Sequence, residues 1–178
     1  PHMAIGKHNT IVAETSRRIA RALGDVLVAP VIAYVPEGDF ERRTGHMAYA
    51  GTISVPDVVY TQLLEAAAAS FRVHGFKTIV LLGDSGGNQQ PQRELARKLT
   101  RAWGKDGMRV VNAEAYYARN GGDDWLKAQG ETAASLGTHA GIRDTSELMA
   151  VAPSAVDLAR ARPDADGEVR PAGARDVA

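Results

Sequence analysis

Ten consecutive residues, Ile79-Val80-Leu81-Leu82-Gly83-Asp84-Ser85-Gly86-Gly87-Asn88, constrain this chain more than any other stretch. Four apolar residues in a row read as a buried parallel strand. Gly83, Gly86 and Gly87 then allow a tight turn in which the backbone comes close to a ligand. Gln89-Gln90-Pro91 opens a helix, with Pro91 expected in its first turn. Leu95, Leu99 and Trp103 recur on one face of that helix, and Gly104 stops it. Strand, glycine turn and helix in this order place a site at the carboxyl end of a sheet strand. Asp84, Ser85 and Asn88 would project there.

The segments around it repeat the alternation of helix and apolar strand. Asn9 is expected to cap a helix running to Leu23, with Val12, Ile19 and Leu23 inward and Gly24 as its stop. Val26–Val35 is apolar and β-branched and reads as a buried strand, with Pro30 suggesting an edge or a strand end. Residues 36–50 form a long irregular loop containing Gly38, Gly45 and His46, a length that in compact domains usually serves function or mobility. A helix should begin near Pro56 with Val59, Leu63, Ala67 and Phe71 as its apolar stripe. Met108–Val111 is a further strand candidate, Tyr116–Gly122 a loop, Trp125–Leu136 a helix, and Ser146–Val151 a short helix or strand. This order predicts a three-layer α/β/α fold with a mainly parallel sheet. Val26–Ala33, Thr78–Leu82 and Arg109–Val111 should share that sheet.

A chain of 178 residues suggests one domain, expected over residues 1–159. Residues 160–178, rich in Pro, Gly, Ala and charge, read as a mobile tail. Twenty-one basic and 21 acidic residues cancel, so the charge offers nothing to a nucleic acid or an acidic membrane. No cysteine is present, which removes disulfides and thiolate metal sites. A metal would have to rest on His, Asp or Glu. No apolar run approaches the roughly 20 residues of a membrane span and no signal peptide is visible, so a cytoplasmic protein is expected.

The polar residues admit several chemistries. Gly83-Asp84-Ser85-Gly86-Gly87 looks like the nucleophile segment of chymotrypsin-like proteases, but those are disulfide-linked β-barrels and this pattern is helical and cysteine-free. Gly-x-Ser-x-Gly between strand and helix also fits a nucleophile elbow, with Asp123 or Asp124 and then His139 following in chain order. The plainer reading is a glycine turn with Asp84 capping the helix, worth about 1 kcal/mol. Among the five histidines, His74 sits at a helix end beside the negative dipole end and reads as structural. His8 lies at a helix start, His46 in the long loop, and His139 precedes Asp144-Thr145-Ser146. Imidazole and carboxylate are good ligands for Zn or Mn, and His carries protons near neutral pH. No pair of them has tight i, i+4 ligand spacing.

Four segments in order resemble the creatininase (creatinine amidohydrolase) family and cover about residues 1–152. They are Pro1-His2-Met3-Ala4-Ile5-Gly6-Lys7-His8, then Gly45-His46-Met47 to Gly51-Thr52-Ile53-Ser54, then His74-Gly75-Phe76 through Gly83-Asp84-Ser85-Gly86-Gly87-Asn88, and His139-Ala140-Gly141-Ile142-Arg143-Asp144-Thr145-Ser146. The resemblance implies a three-layer α/β/α domain with a mainly parallel sheet. It also implies a metal-dependent amidohydrolase, often hexameric, acting on cyclic amides, formamides or peptide bonds. It favours Pro1-His2-Met3 as native residues over a cloning scar.

The chain departs from the family pattern at the site. The family usually opens with Glu-x-His-Gly-Pro-His, and this sequence starts at the Pro, so an upstream segment carrying two metal-binding residues is expected to be missing. The usual Asp ligand falls on His8. The usual Gly-His-Gly-Gly-Asn becomes Asp84-Ser85-Gly86-Gly87-Asn88, with Ser85 in place of a ligand His. The usual Glu after His-Ala-Gly is Ile142, with Asp144 two residues further on. The resemblance thus implies His8, Asp84 and Asp144 as ligands of a divalent metal, Zn or Mn, and His139 as a proton-transfer residue. Ser85 is the second catalytic candidate, and His46, Gly86, Gly87 and Asn88 are expected to bind substrate. The expected activity is hydrolysis of a small amide or cyclic amide by a homo-oligomer, with a small-molecule substrate. Two alternatives are a ligand-binding homologue that has lost the metal and a serine hydrolase using Ser85.

Overall fold

The computed structural model describes residues 2–49, 51–137 and 139–161. In chain order its main elements are α1 (Lys7–Leu23), α2 (Asp57–Val73), β1 (Thr78–Leu81), α3 (Gly86–Trp103), β2 (Arg109–Asn112), α4 (Glu114–Ala118), α5 (Gly122–Ala128), α6 (Ala133–Leu136) and α7 (Ile142–Val151). They fall into two compact units. One comprises Ile32–Ala48 and Thr52–Arg119, and the other the described residues within 1–31, 49–51 and 120–161.

The unit holding the glycine turn is α/β. β1 and β2 pair in parallel, from Thr78 opposite Arg109 to Leu81 opposite Asn112. Parallel neighbours need a crossover, and α3 supplies it. Ile79, Leu81 and Val110 point into a core completed by Tyr60, Leu64 and Ala68 of α2, Leu95, Ala96 and Leu99 of α3, and Met108. Trp103 packs on its margin, so the Leu95, Leu99, Trp103 stripe and the stop at Gly104 are as the sequence indicates. Thr100 ties helix to strand: its hydroxyl donates to the Val110 carbonyl at 2.8 Å and accepts from the Val110 N–H at 2.9 Å.

Several expectations shift here. β1 is buried on one face only, because strand side chains alternate, and Val80 is exposed. α3 begins at Gly86, so Pro91 lies inside the helix rather than opening it. In α2 the inward stripe is Tyr60, Leu64 and Ala68, one position on from the expected Val59, Leu63 and Ala67; Val59 and Leu63 are exposed. One residue turns a helical face by about 100°, and the Tyr60 hydroxyl is fixed inside by a 2.7 Å hydrogen bond from Gln92. Val26–Val35 forms no strand. Val26, Leu27, Val28 and Val31 are exposed. β-Branched composition favours extended backbone, but a strand needs a ladder partner, and among the described residues this segment has none. The sheet of the described residues therefore contains β1 and β2 and not Val26–Ala33.

The other unit is built on helices. α1 packs against α7, burying Ile11, Ala20 and, completely, Leu148. Gly6, at φ +81°, precedes α1, so Asn9 lies in its first turn and not at its cap, and Leu23 is exposed. The expected helix over Trp125–Leu136 is broken into α5 and α6 around Gly130, whose φ is +99°. Thr132 caps α6 with a reciprocal Ser135 contact. Ser146–Val151 belongs to α7, and Tyr116–Ala118 to α4. Met3 pairs with Val156 in an isolated antiparallel bridge. Arg160 lies in a short 3-10 turn, and residues 162–178 of the expected tail lie outside the described residues. No helix among the described residues is long and apolar enough to cross a membrane.

Candidate functional site

The glycine turn is held by side chains of the helix it feeds. The Gln89 Nε2 lies within hydrogen-bond distance of the carbonyls of Gly83 (2.9 Å) and Ser85 (3.0 Å) and of Asn88 Oδ1 (3.0 Å), its two N–H groups shared among the three acceptors. Gln89, Asn88 and Gln92 are all buried. A Cβ at Gly83 would stand 2.9 Å from Gln92 Nε2 and closer still to the Asn88 amide, so any larger residue there requires these two buried amides to shift. Asn88, expected to bind substrate, thus has its amide oxygen engaged in shaping the turn. Gln89 and Gln92 were not singled out from sequence; two amides placed three apart on an otherwise apolar face were the available signal.

Ser85 precedes α3 at φ −130° and ψ 145°, ordinary extended backbone. A nucleophile elbow holds its serine in a strained turn, so the elbow reading is not met. Asp84 Oδ1 accepts from the Tyr116 hydroxyl at 3.0 Å. The buried Ser85 hydroxyl donates to Glu37 Oε1 at 3.1 Å. The other oxygen of the same carboxylate, Oε2, meets His46 Nδ1. A carboxylate only accepts, so that contact places a proton on Nδ1. Glu37 therefore joins Ser85 to His46.

The loop over residues 36–48 folds so as to return His46 to Glu37. Asp39 Oδ1 accepts from the N–H groups of Glu41 (3.0 Å) and Arg42 (2.7 Å), and Thr44 Oγ1 accepts from the Asp39 N–H at 3.0 Å. The His46 N–H then donates to the Glu37 carbonyl at 2.9 Å. Ser54 anchors the loop from below: its hydroxyl accepts from the Glu37 N–H and donates to the Gly38 carbonyl, both at 2.9 Å. Gly87 lies so close to the Pro36 carbonyl that a Cβ there would overlap it. A cavity of about 340 Å³ opens beside this loop, lined by Glu37, Thr44, His46, Asp57 and Gly87 among others. Glu37 was missed from sequence, since a lone carboxylate in an irregular loop carries no spacing signal.

The remaining candidates belong to the helical unit. His8 is in the first turn of α1. Asp144, in the first turn of α7, is ion-paired with Lys7 and accepts from the Ala140 N–H at 3.0 Å. Burial pushes the Asp144 carboxyl up, but the Lys7 hydrogen bond and charge, the Ala140 N–H and His8 outweigh it, and its pKa lies below the ordinary value. His139 is exposed, beside Ala140 at φ +54°. Of the nine residues predicted for the site, His46, Asp84, Ser85, Gly86, Gly87 and Asn88 share the α/β unit, while His8, His139 and Asp144 are in the helical one.

A divalent metal needs converging donors. Among the described residues no group of three or more His, Asp or Glu side chains is placed to hold one. Asp144 is committed to Lys7, and Ser85 offers a neutral hydroxyl where the family pattern has an imidazole. The described residues do not fit the metal that the family resemblance implies.

No curated protein sequence matches this chain. A solved structure of a mutant creatininase matches it with a TM-score of 0.70 and 21% sequence identity, over 89% of this chain and 63% of that one. The chain thus spans less than two thirds of that creatininase, and the likeness confirms the creatininase-like α/β fold. The family model described as creatinine amidohydrolase matches residues 1–177. Match and fold agree with the four motif segments read above, and this chain belongs to the creatininase family.

Proposed function

We propose that this protein is an amidohydrolase acting on the C–N bond of a small amide or cyclic amide. Family membership supports the reaction class, and the observation that carries the reading is the hydrogen-bonded chain Ser85–Glu37–His46 beside a small cavity. About 340 Å³ is room for a small molecule. The first N–H groups of α3, at Gly86 and Gly87, have no acceptor within their own helix. They can face the oxyanion that develops when an amide carbonyl is attacked. His46 and Gly87 line the cavity and orient the substrate, while Asn88 keeps the turn in shape.

The test is a panel of cyclic amides, formamides and small acyl amides, with released amine or ring opening as readout. Turnover of at least one class by the purified protein is expected. A second reading, a ligand-binding homologue without turnover, is favoured by the Lys7–Asp144 pair, which occupies a carboxylate that the resemblance gives to a metal. Under it the same compounds raise the melting temperature and none is hydrolysed. Neither turnover nor stabilisation by any member of the panel would remove both readings.

A further inference from the structure

We infer that Asn120 is a site of spontaneous deamidation, with the Gly121 backbone nitrogen as nucleophile and the Gly122 N–H as the donor that stabilises the oxyanion. The inference stands apart from the amidohydrolase reading. Asparagine is a chemically labile side chain, because the nitrogen of the next residue can close a five-membered imide on its amide carbon. A Cβ on that next residue obstructs the closure, and here the next residue is glycine. Asn120 and Gly121 are both exposed and precede α5, outside any helix or strand. Gly121 stands at φ +77° and ψ 0°, a left-handed conformation that glycine adopts without strain, and nothing lies within 4 Å of where a Cβ would be. Solvent therefore reaches the peptide link. The turn also presents the amide: Asn120 Oδ1 accepts from the Gly122 N–H at 3.0 Å. That bond fixes the amide carbonyl and draws electron density from its carbon, and it strengthens as negative charge develops on Oδ1. The other three asparagines lack this combination. Asn9 and Asn88 lie in helices and Asn112 ends β2, and the residues that follow them are Thr10, Gln89 and Ala113.

The step balances with water as its one co-reactant. Solvent base takes the Gly121 amide proton as that nitrogen attacks Asn120 Cγ, forming the N–C bond and an oxyanion at Oδ1. The Cγ–Nδ2 bond then breaks, and ammonia leaves with a proton returned from solvent. Water adds to the resulting succinimide. Breaking the ring bond at Cγ gives aspartate, and breaking it at the Asn120 backbone carbonyl carbon gives isoaspartate, with the main chain running through Cβ. Nothing is oxidised or reduced. The new carboxylate arises beside Arg143: a Cβ at Gly122 would stand 3.4 Å from both Asn120 Oδ1 and Arg143 Cδ. Arg143 already pairs with Asp123 at 3.3 Å and Glu147 at 3.1 Å. Deamidation thus brings a further negative charge to one guanidinium and joins the turn before α5 to α7.

Timed incubation of the whole chain in mildly alkaline buffer, followed by peptide mapping, tests this. Residue 120 should gain one dalton as OH replaces NH2, yielding aspartate and isoaspartate, while Asn9, Asn88 and Asn112 keep their amides. Gly121→Ala crowds the attacking nitrogen and should slow the loss by about tenfold or more. Asn120→Gln, whose ring would need six members, should show no conversion over the same period. The part played by the turn is read by comparing the native chain with the chain unfolded in guanidinium chloride, where the Gly122 N–H no longer faces Oδ1. The native rate should equal or exceed the unfolded one, and this comparison needs no variant to fold. Retention of the Asn120 amide, conversion of another asparagine ahead of it, wild-type speed in Gly121→Ala, or a native rate below the unfolded one would each overturn the inference.

Discussion

Gly45→Ala is the sharpest single test of the loop geometry. Gly45 sits at φ +57°, where an L side chain costs roughly 1–2 kcal/mol. Its absent Cβ would lie 2.8 Å from the Glu37 carbonyl oxygen and 3.6 Å from Gly38 Cα. Ordinary carbon–oxygen contact begins near 3.2–3.4 Å, so the Glu37 backbone must retreat by about 0.5 Å. That carbonyl accepts from His46 N–H at 2.9 Å, and the retreat would stretch the bond past useful length, losing about 1 kcal/mol. Dihedral and hydrogen-bond costs together come to about 2–3 kcal/mol. For a protein of this size that is a fall in melting temperature of roughly 4–12 °C. Gly45→Asn separates the two contributions. Asn tolerates positive φ better than Ala but carries the same Cβ, so it should melt between Ala and wild type. Gly104→Ala is the control: its φ is −61° and nothing lies within 4 Å of the added carbon, so it should not lower the melting temperature. Differential scanning fluorimetry reads all four proteins. Wild-type melting in both Gly45 variants would refute the strain and clash at Gly45.

Leu99, 1% exposed at the centre of the α/β core, should cost about 2–5 kcal/mol when changed to Ala, read as a lower urea midpoint with an unchanged slope. Asp144 has a lowered folded pKa, so its pairing with Lys7 stabilises the protein above the unfolded carboxylate value, near 3.9, and that contribution is lost as pH falls through the folded pKa. Lys7→Met should cost about 3 kcal/mol at neutral pH and raise the Asp144 pKa, visible in a carboxylate NMR titration; an unmoved titration would refute the pairing. Calorimetric titration with Zn or Mn should show no stoichiometric site formed by His8, Asp84 and Asp144, and tight binding lost in Asp84→Ala would restore the metal reading. We also propose a homo-oligomer, from the family resemblance and the exposed Leu27, Val28 and Val31; sedimentation should give a mass above the 18.9 kDa of one chain.

The sequence by itself determined what local chemistry controls. Gly83 marked the break after the apolar run that became a strand, and Leu95 and Leu99 marked the buried face of α3, because each depends on neighbours a few residues away, whereas Gly86 and Gly87, expected in the turn, open the helix. Four ordered motifs also carried the family. Tertiary structure decided everything that needed a partner from elsewhere in the chain. Val26–Val35 has the composition of a strand and no ladder to join. The face of α2 turned by one residue because the Tyr60 hydroxyl bonds to Gln92, 32 positions away. Ser85 and Glu37 are 48 residues apart, and no periodicity links a serine after a strand to a carboxylate in an irregular loop. Their meeting follows from Ser54 holding the Glu37 backbone and from a loop that closes on itself. Asp144 read as a metal ligand in sequence, and the helix packing that sets it against Lys7 gave its charge another counterpart.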